Sequence, residues 1–186
     1  MDKVVAFVGD PDEQSRRELR QILNHAGIKQ VSSHANLANL STLMSVGQVS
    51  PDLVMLADDL DPKVFEFIRD IRHNRIGTNP FVVIITMVPP DHTESVKRAM
   101  AAGTDDIIVK PAKEEHLLQR LKRVIVNREA FIATADYVGP DRRGKNRPTA
   151  IRRIGVLNTL LEKANGQDLS ASAVSEAVAE CMNDVL

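Results

Sequence analysis

The chain has no tryptophan, one tyrosine and one cysteine, and aromatic residues make up only 3% of its 186 residues. So few rings leave no platform for stacking bases, and binding of single-stranded nucleic acid is not expected. The lone thiol, Cys181, excludes an internal disulfide and a cysteine-based zinc site. The histidines stand apart at positions 25, 34, 73, 92 and 116, without the spacing of metal ligands. Neither sign of charge dominates: the formal net charge is −1, so no overall field draws the chain to nucleic acid or a membrane. A signal-peptide pattern and a run of about 20 apolar residues are both missing, so a cytoplasmic protein is expected. Glycine-rich phosphate loops and catalytic triad patterns are missing too, and an enzyme is not expected. What is present is ordinary for a globular protein, with 43% hydrophobic and 26% charged residues. The length suits one good core plus a small appendage.

Short apolar runs alternate with helical patterns over the first two thirds of the chain. Strands are expected at 4–8, 30–33, 53–57, 81–86 and 107–109. Between and after them, Leu19, Ile22 and Leu23, then Leu37, Leu40 and Met44, then Phe65, Ile68 and Ile71 recur at helical spacing. A fourth helix opens after Pro90 and stops at Gly103, and a fifth spans 114–128. This alternation predicts an α/β fold, a doubly wound five-stranded parallel sheet with helices on both faces. The strands are apolar throughout, as strands covered on both faces should be. In such sheets chemistry sits at the carboxyl ends of the strands. The residues that matter are therefore Gly9 and Asp10, Ala57 to Asp59, Thr86 and Met87, and Lys110 and Pro111.

Order and spacing at 3–11, 51–60, 81–86 and 103–111 resemble a response-regulator receiver domain, covering residues 1 to about 128. The stretch Gly103-Thr104-Asp105-Asp106-Ile107-Ile108-Val109-Lys110-Pro111 is the most specific part of the match. The resemblance implies two-component phosphorelay signalling and four functional parts. These are a phosphoacceptor aspartate ending strand three, an acid pair after strand one that holds Mg²⁺, a lysine after strand five, and a Ser or Thr ending strand four. Pro51 and Leu60 place the phosphoacceptor position on Ala57, which has no nucleophile. Pro11 places the acid pair on Val8 and Gly9, with Asp10 one place late. The lysine is retained as Lys110 before Pro111, and the hydroxyl as Thr86. A degenerate pseudo-receiver is therefore expected, without a metal or other cofactor. One alternative is a shifted site, with Asp58 as phosphoacceptor and Asp10 helping to hold Mg²⁺. Against it, Asp58 should face away from Thr86 and Lys110 if the strand alternates regularly.

After residue 130 the character changes, and the chain divides into a receiver over 1–130, a basic linker over 131–150 and a helical hairpin over 151–186. Arg142, Arg143, Lys145, Arg147, Arg152 and Arg153 have only Asp141 as a local acid. The pair Arg143 and Arg147 resembles the arginine half of the cyclic-di-GMP motif of PilZ domains, whose second half is not found here. Binding of that nucleotide or of nucleic acid through this segment is the other alternative. In the hairpin, Leu157, Leu160 and Leu161, then Val174 and Val178, form apolar stripes that need a cover. The expected role is a protein-binding or dimerisation module, docking through helix four, strand five, helix five and the hairpin. A histidine kinase is a candidate partner.

Overall fold

The computed structural model describes residues 1–46, 49–143 and 152–183. Strands β1 (Val5–Gly9), β2 (Gln30–His34), β3 (Leu53–Ala57), β4 (Val83–Val88) and β5 (Asp106–Val109) form a parallel sheet in the order β2-β1-β3-β4-β5. Helices α1 (Glu13–His25), α2 (Leu37–Val46), α3 (Val64–Arg72), α4 (Thr93–Ala102) and α5 (Glu114–Val126) alternate with them. β3 and β4 are buried along their whole length, because helices cover both faces. The Asp12 side chain accepts the Ser15 N–H at the start of α1, which fixes where the chain leaves the end of β1. Gly103 closes α4 at a φ of 93°, a left-handed conformation that glycine adopts without strain.

Two expected boundaries move, each for a visible reason. Strand four begins at Val83 and runs to Val88, two residues later than 81–86. The Asn79 side chain accepts the Phe81 N–H, which holds the chain in a turn there. Phe81 leaves the sheet and packs edge-on against Phe131, with ring centroids 5.7 Å apart. The helix expected from 151 begins only at Thr159. Residues 152–158 before it form no helix, and Ile154 exchanges both backbone hydrogen bonds with Phe131. Asn158 then caps α6 (Thr159–Ala164) by accepting the Leu161 N–H.

The described part of the expected linker, residues 131–143, carries two strands. Phe131–Ala133 (β6) and Val138–Pro140 (β7) make an antiparallel hairpin. Residues 144–151, including Arg147, lie outside the described residues. The helical pair α6 and α7 (Ala171–Asn183) is present, but it does not stand free. Leu160 is fully buried in the main core, while Val174 and Val178 join Phe81 and Phe131 in a second, smaller core. Asn158 donates to the carbonyls of Val124 and Ile125 at the end of α5. Lys163 pairs with Asp52 just before β3, at 3.0 Å. The tail therefore covers the amino ends of the strands and leaves the carboxyl ends open.

Candidate functional site

At the carboxyl ends, parallel pairing lines up Gly9 with Leu56, Ala57 with Met87, and Val88 with Val109. Asp10 follows β1 and has no solvent exposure. One of its carboxylate oxygens accepts the Asp12 N–H at 2.9 Å. The other accepts the Ser15 hydroxyl at 2.7 Å and the Lys110 ammonium at 2.9 Å. Lys110 is placed by its own N–H, which donates to the Val88 carbonyl at 2.7 Å, and the Lys110–Pro111 bond is cis. The same ammonium donates to Asp59 at 3.1 Å. Burial by itself would lower the lysine pKa, but hydrogen bonds and charge from Asp10 and Asp59 outweigh it and raise it. The outcome is a closed ion-pair cluster with its cation already neutralised.

The positions read as a lost acid pair are filled by apolar packing. Val8 is fully buried. A Cβ on Gly9 would lie 2.6 Å from both Leu40 Cδ1 and Leu60 Cδ2, and 3.0 Å from Leu56 Cδ2. Any longer side chain at Gly9 therefore needs these leucines to move. Ala57 is likewise fully buried. Sequence reasoning missed the part played by Leu40 and Leu60. Leu60 had served only to set the strand-three frame, and nothing local in α2 marks Leu40 as reaching the site.

The retained hydroxyl is not where the resemblance would put it. Thr86 does not end β4, which continues to Val88 beside Lys110. Its hydroxyl is buried and donates to Thr104 Oγ1 at 3.0 Å, and Thr104 in turn donates to the Ile84 carbonyl. Thr86 is thus tied to the chain just before β5, not to Lys110.

Asp58 is half-buried, and its N–H donates to the Met87 carbonyl. One of its carboxylate oxygens is buried without a hydrogen-bond partner. Lys110 pairs with Asp10 and Asp59, not with Asp58. Asp61 accepts the Lys63 N–H in the following turn. Among the described residues no group of three His, Cys, Asp or Glu side chains converges as metal ligands. Asp10 has both oxygens engaged, by the Asp12 N–H, the Ser15 hydroxyl and the Lys110 ammonium. These residues do not fit the oxygen-rich octahedral site that Mg²⁺ requires.

Among the described residues of the expected linker, Arg142 and Arg143 are bound by their own chain. Arg142 donates to the Thr104 carbonyl. Arg143 binds Asp141 through two of its nitrogens, at 2.8 and 3.1 Å, and Arg153 reaches the same carboxylate. These hydrogen bonds hold the Asp141 carboxyl well below its ordinary pKa.

A five-stranded parallel sheet in this order, with a lysine and an aspartate meeting at its carboxyl ends, is a doubly wound arrangement of the flavodoxin-like kind. The family model of the response regulator receiver domain matches residues 6–122. The chain belongs to that family. No curated protein matches it. Similar solved structures share the fold at low identity. An orphan response regulator of Helicobacter pylori, HP1043, is 21% identical, with 64% of this chain and 94% of that one covered and a TM-score of 0.54. The chemotaxis protein CheY4 of Vibrio cholerae is 22% identical, with 65% and 98% covered and a TM-score of 0.55. A response regulator from Thermotoga maritima is 21% identical, with 65% and 96% covered and a TM-score of 0.56. The matched region stops before the tail. No described helix is long and apolar enough to cross a membrane.

Proposed function

We propose that this receiver works in two-component signalling without aspartyl phosphorylation, as a cytoplasmic protein-docking module. The observation that carries this reading is the closure of Leu40 and Leu60 over Gly9. A receiver that transfers phosphoryl groups needs an acceptor and a cation to neutralise the incoming charge. Here the acceptor position is Ala57, the acid pair is Val8 and Gly9, and Lys110 is bound to Asp10 and Asp59. Lys110 holds the buried Asp10 carboxylate, and Thr86 ties β4 to the start of β5. Both residues thus have structural roles that need no phosphate.

Docking falls to the face of α4, β5 and α5, where Met100 and Val109 are exposed. The hairpin share of that surface is withdrawn, because Leu160, Val174 and Val178 are buried against their own chain. The arginine segment loses its case as a nucleotide fork for a similar reason, since Arg143 is bound to Asp141.

The test is incubation of the full chain with acetyl phosphate and Mg²⁺, and separately with beryllofluoride. The expected outcome is an unchanged intact mass and unchanged amide spectra. The orphaned Asp58 oxygen favours one competing reading, the shifted acceptor. Acid-labile phosphate mapped to Asp58 would replace the docking-only reading with that one.

A further inference from the structure

From Gln30 to Pro51 the sequence contains no Asp, Glu, Lys or Arg, although 26% of the whole chain is charged. This stretch builds two neighbouring surface elements, the edge strand β2 and helix α2. β2 is paired with β1 and has no strand on its other side among the described residues. The His34 carbonyl faces inward and accepts the Asp10 N–H. Strand alternation then turns the backbone groups of Val31 and Ser33 outward. An open edge of this kind is a template for another strand unless charge, proline or a covering element blocks it. The strand itself carries neither proline nor charge. Beside it, Leu43, Val46 and Val49 are 41%, 60% and 48% exposed. A groove of about 500 Å³ runs along the edge, with Val31, Leu43 and Val49 among its walls.

We propose that this surface is a self-association interface, in which β2 of one copy pairs antiparallel with β2 of a second copy about a two-fold axis. Charge selects this occupant. A two-fold contact sets a surface against itself, so charges near the axis meet their own kind. An uncharged strip escapes that penalty, and depletion of charge is the compositional mark of an interface core. The flanking cations fit the same arrangement. Lys29 precedes the strand, so antiparallel pairing sends the two copies of it to opposite ends of the ribbon. The Arg20 guanidinium is drawn onto the Ser33 hydroxyl at the rim. Among the described residues that line the groove only these two are charged, so a partner of opposite charge finds little there to meet. The contact is independent of α4, β5 and α5, which lie at the opposite edge of the sheet.

Sedimentation of the full chain over a concentration series tests the proposal. The wild-type chain is expected to pass from monomer to dimer. Leu43→Glu should weaken the dimer by about tenfold or more. Ser33→Pro, which removes an outward N–H and leaves the β1 ladder intact, should weaken it too. Val109→Glu, at the opposite edge, should leave it unchanged. Circular dichroism confirms that each variant is folded. A monomer at every concentration up to about 1 mM, which corresponds to about −4.1 kcal/mol, overturns the proposal. So does a dimer that survives Leu43→Glu or is dissociated by Val109→Glu.

Discussion

At the amino ends of the strands, the Asp105 carboxylate sits between Arg72 and Arg128, and all three side chains are almost wholly buried. Arg72 also donates to the carbonyls of Gly103, Pro80 and Val82. Both guanidinium groups lie over the Phe131 ring, at 5.1 and 4.8 Å from its centroid. At the carboxyl ends, the corresponding group is one lysine shared by a buried Asp10 and an exposed Asp59. The first cluster builds an attachment, because both guanidinium groups pack on the Phe131 ring while they bind Asp105 and receiver carbonyls, with Arg128 Nη1 buried without a hydrogen-bond partner. The second lies at the pole where the family's site is expected, next to the leucines that crowd Gly9. In this chain the more deeply buried charge network lies against the tail, while at the pole where the fold places chemistry one lysine is held by two carboxylates.

Variants can break or sharpen that contrast. The largest effect is expected from Arg72→Ala. It takes a donor from the Gly103 and Pro80 carbonyls, leaves the Val82 carbonyl to Arg128 and leaves Arg128 as the one cation paired with Asp105, and should cost about 3–5 kcal/mol in denaturant unfolding. A loss under about 1 kcal/mol would mean that the amino-end cluster is not what secures the tail. Gly139→Ala comes next. A Cβ there would lie 2.8 Å from Gly103 Cα, so the β6–β7 hairpin must shift away from the α4–β5 turn. About 1–3 kcal/mol of stability should be lost, together with protection of the Phe131 amide from hydrogen exchange.

A smaller, graded change is expected with pH. Burial would raise the Asp105 pKa, but Arg128 and Arg72 overcome it and hold it below the ordinary value. The unfolded chain then binds the proton more readily than the folded one. The contribution is full above the unfolded value of about 3.9 and is lost as pH falls through the lower folded value. Unfolding midpoints measured from about pH 5 to pH 2 should fall with pH, and less steeply in Asp105→Asn. The smallest effect belongs to the other pole. Asp59→Ala removes an exposed partner of Lys110 and should change stability by no more than about 1 kcal/mol, since Asp10 remains. A larger loss would show that the lysine cluster matters as much as the attachment.

Much of the fold was legible in the sequence because apolar period and turn residues act locally. Strand three was placed at 53–57, as observed, and Gly103 ended its helix as expected. Strand four was misplaced because Phe81 and Val82 are as apolar as the strand that follows them. Only the Asn79 turn and the contact with Phe131 separate them from it. The site was half legible. Frame counting located Ala57, Gly9 and Lys110. It could not show that Asp59, not Asp58, would share the lysine, or that Thr86 would turn to Thr104. Those outcomes depend on which side chains meet across strands, and spacing along one strand does not encode them.

The sequence by itself determined the alternation of strands and helices, the alanine at position 57 and the apolar stripes of the tail. Each is a property of residues a few positions apart. Tertiary structure decided what those features meet. Leu40 and Leu60 come from separate segments to close over Gly9. Val174 and Val178 bury themselves on Phe81 and Phe131, and Leu160 enters the main core, instead of waiting for a partner. An unfilled apolar face states only that it needs cover. Which surface supplies the cover depends on long-range packing, where the nearest matching apolar patch on the same chain is reached without the entropy cost of bringing in a second molecule.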